Sequence, residues 1–311
     1  MSTHIAVDIG GTQMRAASYQ RHSLAPIKIN RIQSKVPDYT PQTRLIQVIE
    51  SVWPEDKTVE SIGIAVAGPL NLDEGLIQKS PNLPEFDDFK IVEFLEDHFN
   101  TPVLLGNDAN LAALGEWKYG AGKGHQDLIY LTISTGIGSG VISGGRLLLG
   151  ARGMAAELGH VTIIPNGPIC SCGKPGHLEA FASGTSIAKW VRAEIKNGVK
   201  SIVSKDSQIT AKGIATAAKK GDALSIAAFK RAGEVLGIAI VNFLHIFNPT
   251  IIIFGGGVSK SIDLFLPYIK IAIDKHVFAQ GYSENLVLTT AALEDDAGLL
   301  GALALARHAY Q

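Results

Sequence analysis

Apolar and polar positions along this chain follow two alternating rhythms. Short, nearly unbroken apolar runs end in glycine, and between them lie longer segments with apolar residues at three- and four-residue spacing. Residues 4–9 form the first run and stop at Gly10-Gly11-Thr12. Residues 16–19 and 27–33 read as further short strands. Residues 42–52 have helical spacing behind Thr40-Pro41, a capping hydroxyl followed by a proline that tolerates the first turn. Residues 61–67 predict a strand closing at Gly68-Pro69, residues 89–99 an amphipathic helix, residues 102–105 a strand running into Gly106-Asn107-Asp108, and residues 111–118 a helix.

The pattern restarts near residue 127. Residues 128–134 predict a strand ending in Thr135-Gly136-Ile137-Gly138-Ser139-Gly140, followed by a second strand and a Gly144-Gly145 turn. Strand, glycine turn, strand also opens the chain, so we read a weak internal repeat. Residues 185–195 predict a helix, and residues 209–247 a long helical region broken near Gly221-Asp222. Residues 250–254 predict a buried strand running into Gly255-Gly256-Gly257. Helices over 262–278 and 298–310 flank a strand at 285–290. Strands alternating with helices predict an α/β protein. Two such halves are expected to face each other across a cleft, where small-ligand sites form.

Composition narrows the class. Of 311 residues, 46% are hydrophobic and 18% charged, which supports a sizeable core and argues against disorder. The net charge is −1 and no Lys/Arg tract occurs, so neither nucleic acid nor an anionic membrane is expected as a partner. The most apolar stretch, residues 236–247, is too short to span a bilayer and contains Asn242 and His245. The start of the chain shows no basic leader or cleavage motif. The expected setting is cytoplasmic and reducing, in keeping with two cysteines in a metal-type pattern.

Those two cysteines lie in the most distinctive segment. Glu157-Leu158-Gly159-His160 is followed by Cys170-Ser171-Cys172 and His177-Leu178-Glu179. The donors His160, Cys170, Cys172 and His177 are the right types for a tetrahedral zinc site. Glu157 and Glu179 bracket it, and a metal would fix both carboxylates, as gripping the hydroxyls of a sugar requires.

Three glycine clusters end strands, at Asp8-Ile9-Gly10-Gly11-Thr12, at Thr135-Gly136-Ile137-Gly138 and at Gly255-Gly256-Gly257. Glycine lets backbone N–H groups approach phosphate oxygens. Asp8 is placed to reach Mg²⁺ through water, and Thr12 and Thr135 add hydroxyl donors. One such turn is ordinarily just a turn, but three in one chain point to phosphate handling. No Gly-x4-Gly-Lys-Ser/Thr motif occurs, and the spacing after Gly136 is wrong for a dinucleotide fold. Asn107-Asp108, between strand and helix, reads by itself as a helix cap.

Taken together, these residues resemble the ROK family of bacterial sugar kinases and sugar-responsive repressors, nearly end to end. Asp8–Thr12 is similar to the family's first phosphate motif, and Ile133 through Gly140, Gly150 and Gly159-His160 to its signature. Gly106-Asn107-Asp108-Ala109-Asn110 is similar to its catalytic turn, and the 170–179 loop to its zinc loop. Where this chain has His177 the family usually has a third cysteine, and where it has Gln13 many relatives have lysine. The resemblance implies an actin-like ATPase (ribonuclease H-like) fold of two lobes around a central cleft. Residues 1–110 with 298–311 are expected to form the smaller lobe and residues 111–297 the larger, which carries the zinc loop. It implies that Asp108 is the general base for a sugar hydroxyl attacking the γ-phosphate of ATP. Asn82, Asn107, Glu157, His160 and Glu179 would hold the sugar with it. Gly10, Gly11, Gly136, Gly256 and Gly257 would lie along the nucleotide. ATP, Mg²⁺ and a structural Zn²⁺ are the implied cofactors, and a homo-oligomer, dimer or tetramer, the implied state.

The expected activity is phosphorylation of the 6-hydroxyl of glucose. An N-acetylhexosamine kinase, acting on N-acetylglucosamine or N-acetylmannosamine, is the alternative within the same catalytic set. A non-catalytic sugar sensor is the alternative from another class. Family repressors carry a helix-turn-helix ahead of the first phosphate motif, which here begins within ten residues of Met1, and that weighs against a DNA-binding role.

Overall fold

In a computed structural model, residues 2–55, 58–79, 83–205 and 208–307 are described. The chain divides into two compact units, each discontinuous in sequence. Residues 1–126, 140–156 and 291–311 make up the first, and residues 127–139 and 157–290 the second.

The first unit is built on a five-stranded sheet. β1 (Thr3–Ile9), β2 (Gln13–Gln20) and β3 (Pro26–Gln33) form an antiparallel meander, and β4 (Val59–Val66) and β7 (Val103–Asn107) add in parallel, giving the order β3-β2-β1-β4-β7. A two-stranded ribbon, β5 (Leu70–Asn71) with β6 (Leu76–Ile77), follows β4. It is too short to show a two-residue period, and the apolar pattern does not predict it. The helices are α1 (Pro41–Val52), α2 (Ile91–Phe99), α3 (Asp108–Tyr119) and α9 (Ala297–Ala306). Alternation along β1 sends Ile5, Val7 and Ile9 to one face, where they pack with Leu45, Val48 and Ile49 of α1 and with Ile91 and Leu95 of α2. Ala6 points to the other face, with Ala17, Leu111 and Leu114 of α3, and Leu299, Ala302 and Leu303 of α9. The sheet is therefore covered on both sides, as parallel strands require.

Strand β8 (Leu128–Ile133) leads the second sheet, followed by β9 (Ile137–Ser143), β10 (Arg146–Leu147), β11 (Ile251–Gly255) and β12 (Val287–Thr290). Its order is β10-β9-β8-β11-β12. In both sheets the strands run third-second-first-fourth-fifth by chain order, so the repeat seen in the glycine turns is a repeat of topology. Helices α4 (Glu179–Ala182), α5 (Gly184–Lys196), α6 (Ala211–Lys219), α7 (Ala223–Phe247) and α8 (Leu266–His276) belong to the second unit. α7 packs against all four others. The predicted break at Gly221-Asp222 is real. Gly221 has φ +85°. The Asp222 carboxylate accepts the Ser225 N–H as the N-cap of α7. The predicted helix over 262–278 is shorter than the pattern implies. Pro267 sits in its first turn, and residues 259–264 form 3₁₀ turns instead.

One buried carboxylate secures the first unit. Glu116, fully buried on α3, accepts hydrogen bonds from the N–H groups of Ala121 (2.8 Å), Ala292 (3.2 Å) and Leu293 (2.7 Å). It thus ties α3 to the loop that precedes α9. Glu116→Ala strands these donors and is expected to cost about 2 kcal/mol. A thermal midpoint lowered by several degrees is the expected reading; an unchanged midpoint would show that water replaces the carboxylate.

Candidate active site

In the first unit the candidate residues gather at one edge of the sheet. The parallel register sets Ile9 opposite Val66 and Val66 opposite Asn107, so β1, β4 and β7 end level with one another. Asp8, the turn at Gly10-Gly11-Thr12, Asn107 and Asp108 share that carboxyl-terminal edge, the usual ligand-binding edge of α/β sheets. The turn is braced from below. Gly10 N–H donates to the Gln13 carbonyl (2.9 Å), Ser34 N–H to the Thr12 carbonyl (2.8 Å), and the buried Ser34 hydroxyl to the Gly10 carbonyl (2.6 Å). The N–H groups of Gly11 and Thr12 make no hydrogen bond among the described residues, which leaves two backbone donors for an anion.

β7 runs two residues further than predicted, and α3 begins directly at Asp108. Asn107 is the N-cap: its Oδ1 accepts from Ala109 N–H (3.0 Å) and Asn110 N–H (3.2 Å), and its Nδ2 donates to the Gly68 carbonyl (3.3 Å). The capping role read from the sequence is thus taken by Asn107. Asp108 is half-buried in the first turn, and its Oδ1 accepts Ala109 N–H (2.8 Å). The helix N-terminus favours its negative charge. Asn82 lies outside the described residues.

Sequence reasoning missed Arg15. In the hairpin register it stands directly opposite Asp8. Its Nη2 donates to Asp8 Oδ2 (2.6 Å) and to the Asp295 carbonyl (2.6 Å), and its Nη1 to Asp296 Oδ1 (3.2 Å). The signal was a lone charge beside Ala16, Ala17 and Ser18, on the strand following a tight turn.

In the second unit the turn after β8 and the turn after β11 also meet at one strand edge. Gly255 pairs with Thr132, and Val258 N–H donates to the Ile133 carbonyl (2.9 Å). Gly256 has φ +82° and so little room that a Cβ there would lie 2.5 Å from the Ile133 carbonyl oxygen. Only glycine fits such a position. The N–H groups of Thr135, Gly136, Gly256 and Gly257 make no hydrogen bond among the described residues, giving two further sets of open donors.

Glu179 opens α4 and is nine-tenths buried. Its Oε2 accepts Ile137 N–H (3.0 Å) and lies against Gly136, where any side chain would collide with it. Its Oε1 accepts from the Ser171 hydroxyl and the Cys170 thiol (3.2 Å). Burial by itself raises a carboxyl pKa, but the hydrogen bonds from Ser171, Ile137 and Cys170, helped by His160, outweigh it and hold Glu179 below its ordinary value. The same surroundings act oppositely on the thiol: burial first, then the Glu179 carboxylate, push Cys170 up to about 11. Glu157 precedes the 3₁₀ turn Leu158–His160 with its side chain exposed, and its carbonyl accepts His160 N–H (3.0 Å). Ser139, another residue the sequence does not single out, holds that turn by accepting Leu158 N–H (3.0 Å).

The four metal-type donors converge. Ligand atoms of His160, Cys170, Cys172 and His177 all lie within 4.8 Å of one another. The loop between them is a tight double-backed ribbon, with Cys170 N–H on the Lys174 carbonyl (2.9 Å), Gly173 N–H on the Cys170 carbonyl (3.0 Å) and a bridge between Thr162 and His177. Cys170 Sγ stands 3.6 Å from His160 Nδ1, and Cys172 Sγ 3.3 Å from His177 Nδ1. A tetrahedron with Zn–S of about 2.3 Å and Zn–N of about 2.05 Å has S–N edges of roughly 3.5 Å. Donor set and spacing therefore fit a four-coordinate zinc, with imidazole accepted where a third thiolate is usual. With Nδ1 of His160 facing the thiols, its Nε2 is the nitrogen left for another partner.

The model of the ROK family matches residues 4–309. The glucokinase of Thermotoga maritima is 33% identical over 307 residues, covering 97% of this chain and 96% of that protein. Among solved structures, the ROK hexokinase of Thermus thermophilus superposes with a TM-score of 0.84 at 30% identity, covering 99% of this chain and 98% of that one. The ROK family glucokinase of Streptomyces griseus, solved with glucose and AMPPNP, superposes with a TM-score of 0.79 at 29% identity, covering 98% of this chain and 99% of that one. The two mixed sheets and their helices are the actin-like fold of these hexokinases.

The two thiols should differ in reactivity. In chelator-treated protein at a pH of about 8, iodoacetamide is expected to modify exposed Cys172 first. Cys170 is buried and holds its proton to about pH 11. Peptide mapping that finds both modified at equal rates would contradict this assignment of environments.

Proposed function

Because the chain belongs to the ROK family, we propose that it is an ATP-dependent hexose kinase that phosphorylates the 6-hydroxyl of glucose. The observation that carries this reading is the common strand edge of the first unit. There a carboxylate at a helix N-terminus, Asp108, shares an edge with Asp8 and with the open donors of Gly11 and Thr12. Phosphoryl transfer asks mainly for positioning and charge neutralisation, and these groups supply both.

In this reading Asp108 accepts the proton of the sugar's primary hydroxyl as that oxygen attacks the γ-phosphorus. The N–H groups of Gly11 and Thr12, and those of Thr135, Gly136, Gly256 and Gly257, hold phosphate and nucleotide oxygens without Cβ interference, and Gly10 shapes the first of these turns. Bound Mg²⁺ would supply charge neutralisation on the transferred phosphoryl group, with Asp8 as the carboxylate that would hold it. Asn82, Asn107, Glu157, His160 and Glu179 hold the ring hydroxyls. Zn²⁺ on His160, Cys170, Cys172 and His177 would be structural: it would fix the His160 ring and lock the loop whose Ser171 holds Glu179, with Cys170 then a thiolate ligand rather than a donor to that carboxylate. The glucokinase similarity supports glucose as the sugar. A homo-oligomer acting in the cytoplasm belongs to the same proposed reading.

Asp108→Asn or Asp108→Ala is expected to lower turnover by a factor of about 10² to 10⁴ with the fold intact. The assay is ADP release with Mg·ATP across glucose, mannose, N-acetylglucosamine and N-acetylmannosamine. Near-normal turnover in either variant removes Asp108 as the base. Preference for an acetylated sugar keeps the mechanism and changes the substrate. Binding without turnover in the unaltered protein indicates a sugar sensor. Cys172→Ser is expected to lose zinc, as metal analysis reads directly, and to weaken sugar binding more than ATP binding.

A further inference from the structure

Arg15, on β2 opposite Asp8 at the first unit's strand edge, has no role in the chemistry described so far. It is almost fully covered, with 11% of its side chain exposed, against 21% for Asp8 and 62% for Asp296. Both of its contacts with Asp8 fall on one oxygen: Nη2 at 2.6 Å and Nε at 3.2 Å from Oδ2. Asp8 Oδ1 makes no hydrogen bond among the described residues. The remaining Arg15 donors go to the Asp295 carbonyl and the Asp296 carboxylate, ahead of α9. The guanidinium is thus held from two directions, by its own hairpin and by the loop before α9.

With both guanidinium bonds on one carboxylate oxygen, the other oxygen of Asp8 is left facing away from Arg15. In addition, one guanidinium faces two carboxylates, Asp8 and Asp296, leaving a local charge of about −1 rather than −2. Without the guanidinium both carboxylates would be uncompensated and would attract a divalent cation more strongly. A site with a single free oxygen needs the phosphates of a nucleotide to complete the ligand set, the usual mode for Mg²⁺.

We propose that Arg15 is a positioning residue for the metal–nucleotide side of the site. It confines Asp8 to one available oxygen and makes divalent-cation binding conditional on nucleotide. The inference rests on the kinase reading for the identity of the nucleotide, but the nucleotide-free metal affinity it predicts can be read without any turnover.

The experiment is an EPR titration of Mn²⁺ into the 311-residue chain, with and without a non-hydrolysable ATP analogue, for the unaltered chain, Arg15→Ala and Arg15→Lys. In the unaltered chain Mn²⁺ is expected to bind weakly alone and at least tenfold more tightly with the analogue. Arg15→Ala is expected to bind Mn²⁺ alone about tenfold more tightly than the unaltered chain. Arg15→Lys keeps the charge and loses the fork, so its nucleotide-free affinity stays weak while kcat falls about tenfold with the sugar KM unchanged. If Arg15→Ala leaves nucleotide-free Mn²⁺ affinity unchanged, Arg15 is only a staple between the hairpin and α9, and the proposal is overturned. If Arg15→Ala does not fold, a nucleotide-free Mn²⁺ affinity in Arg15→Lys as weak as in the unaltered chain, together with the kcat loss, supports it, and unchanged kinetics overturn it. A chain that phosphorylates no sugar yet shows the Arg15→Ala change in Mn²⁺ binding separates failure of the kinase reading from failure of this one.

Discussion

The chemistry of the first unit depends on one constraint, the level register of its parallel strands. β1, β4 and β7 are bonded so that Ile9, Val66 and Asn107 lie abreast. Side chains just before or after those positions must then emerge at the same edge. No loop has to fold back to bring Asp8, the glycine turn and Asp108 to one side of the sheet. A slip of one residue in β7 would turn every side chain to the opposite face, burying Leu104 where Leu105 belongs. Apolar contacts on both faces, Leu105 toward α1 and α2 and Leu104 toward α3 and α9, hold the register against that slip.

The second unit applies a different device, the burial of charge with its donors built in. Glu179 is removed from water, which by itself costs free energy, yet each of its oxygens meets a donor from an element fixed elsewhere. One oxygen is held by the turn after β8 and the other by the cysteine loop. A carboxylate held this way stays ionised and points in one direction, which is what recognition of a hydroxyl needs. The metal-type cluster beside it works through the same loop. The spacing of four donors along the sequence made that cluster legible before any coordinates, since each donor type is uncommon and the intervals match a turn.

Much of the architecture could be read from apolar runs that stop at glycine, because a buried strand and its terminating turn both leave strong local marks. The misses have physical reasons. The β5–β6 ribbon has strands of two residues, below the length at which a period can be seen. The pattern over 262–278 overstates the helix because apolar spacing continues through residues 259–264, although Pro267 marks the true start. Arg15 and Glu116 escape notice because, besides nearby Asp8 and Ala121, they bind groups distant in sequence, at Asp295–Asp296 and at Ala292–Leu293. Only the strand register and the seating of α9 create those pairs. Asn107 shows the converse case: its local capping preference is visible in sequence and is realised as read.

The way the first unit is assembled from separated segments bears on how the chain matures. Its sheet is complete once residue 107 has emerged, but one face is covered partly by α9, which follows only after residue 290. Ala6, Ala65 and Leu111 must wait for Leu299, Ala302 and Leu303. At ribosomal speeds of about 5–20 residues per second, the stretch between residues 156 and 291 represents a delay on the order of ten seconds. During that interval a nascent chain has only α3 over that apolar sheet face, and the part α9 covers is bare. That face is thus an aggregation-exposed surface until α9 is made and docks on it.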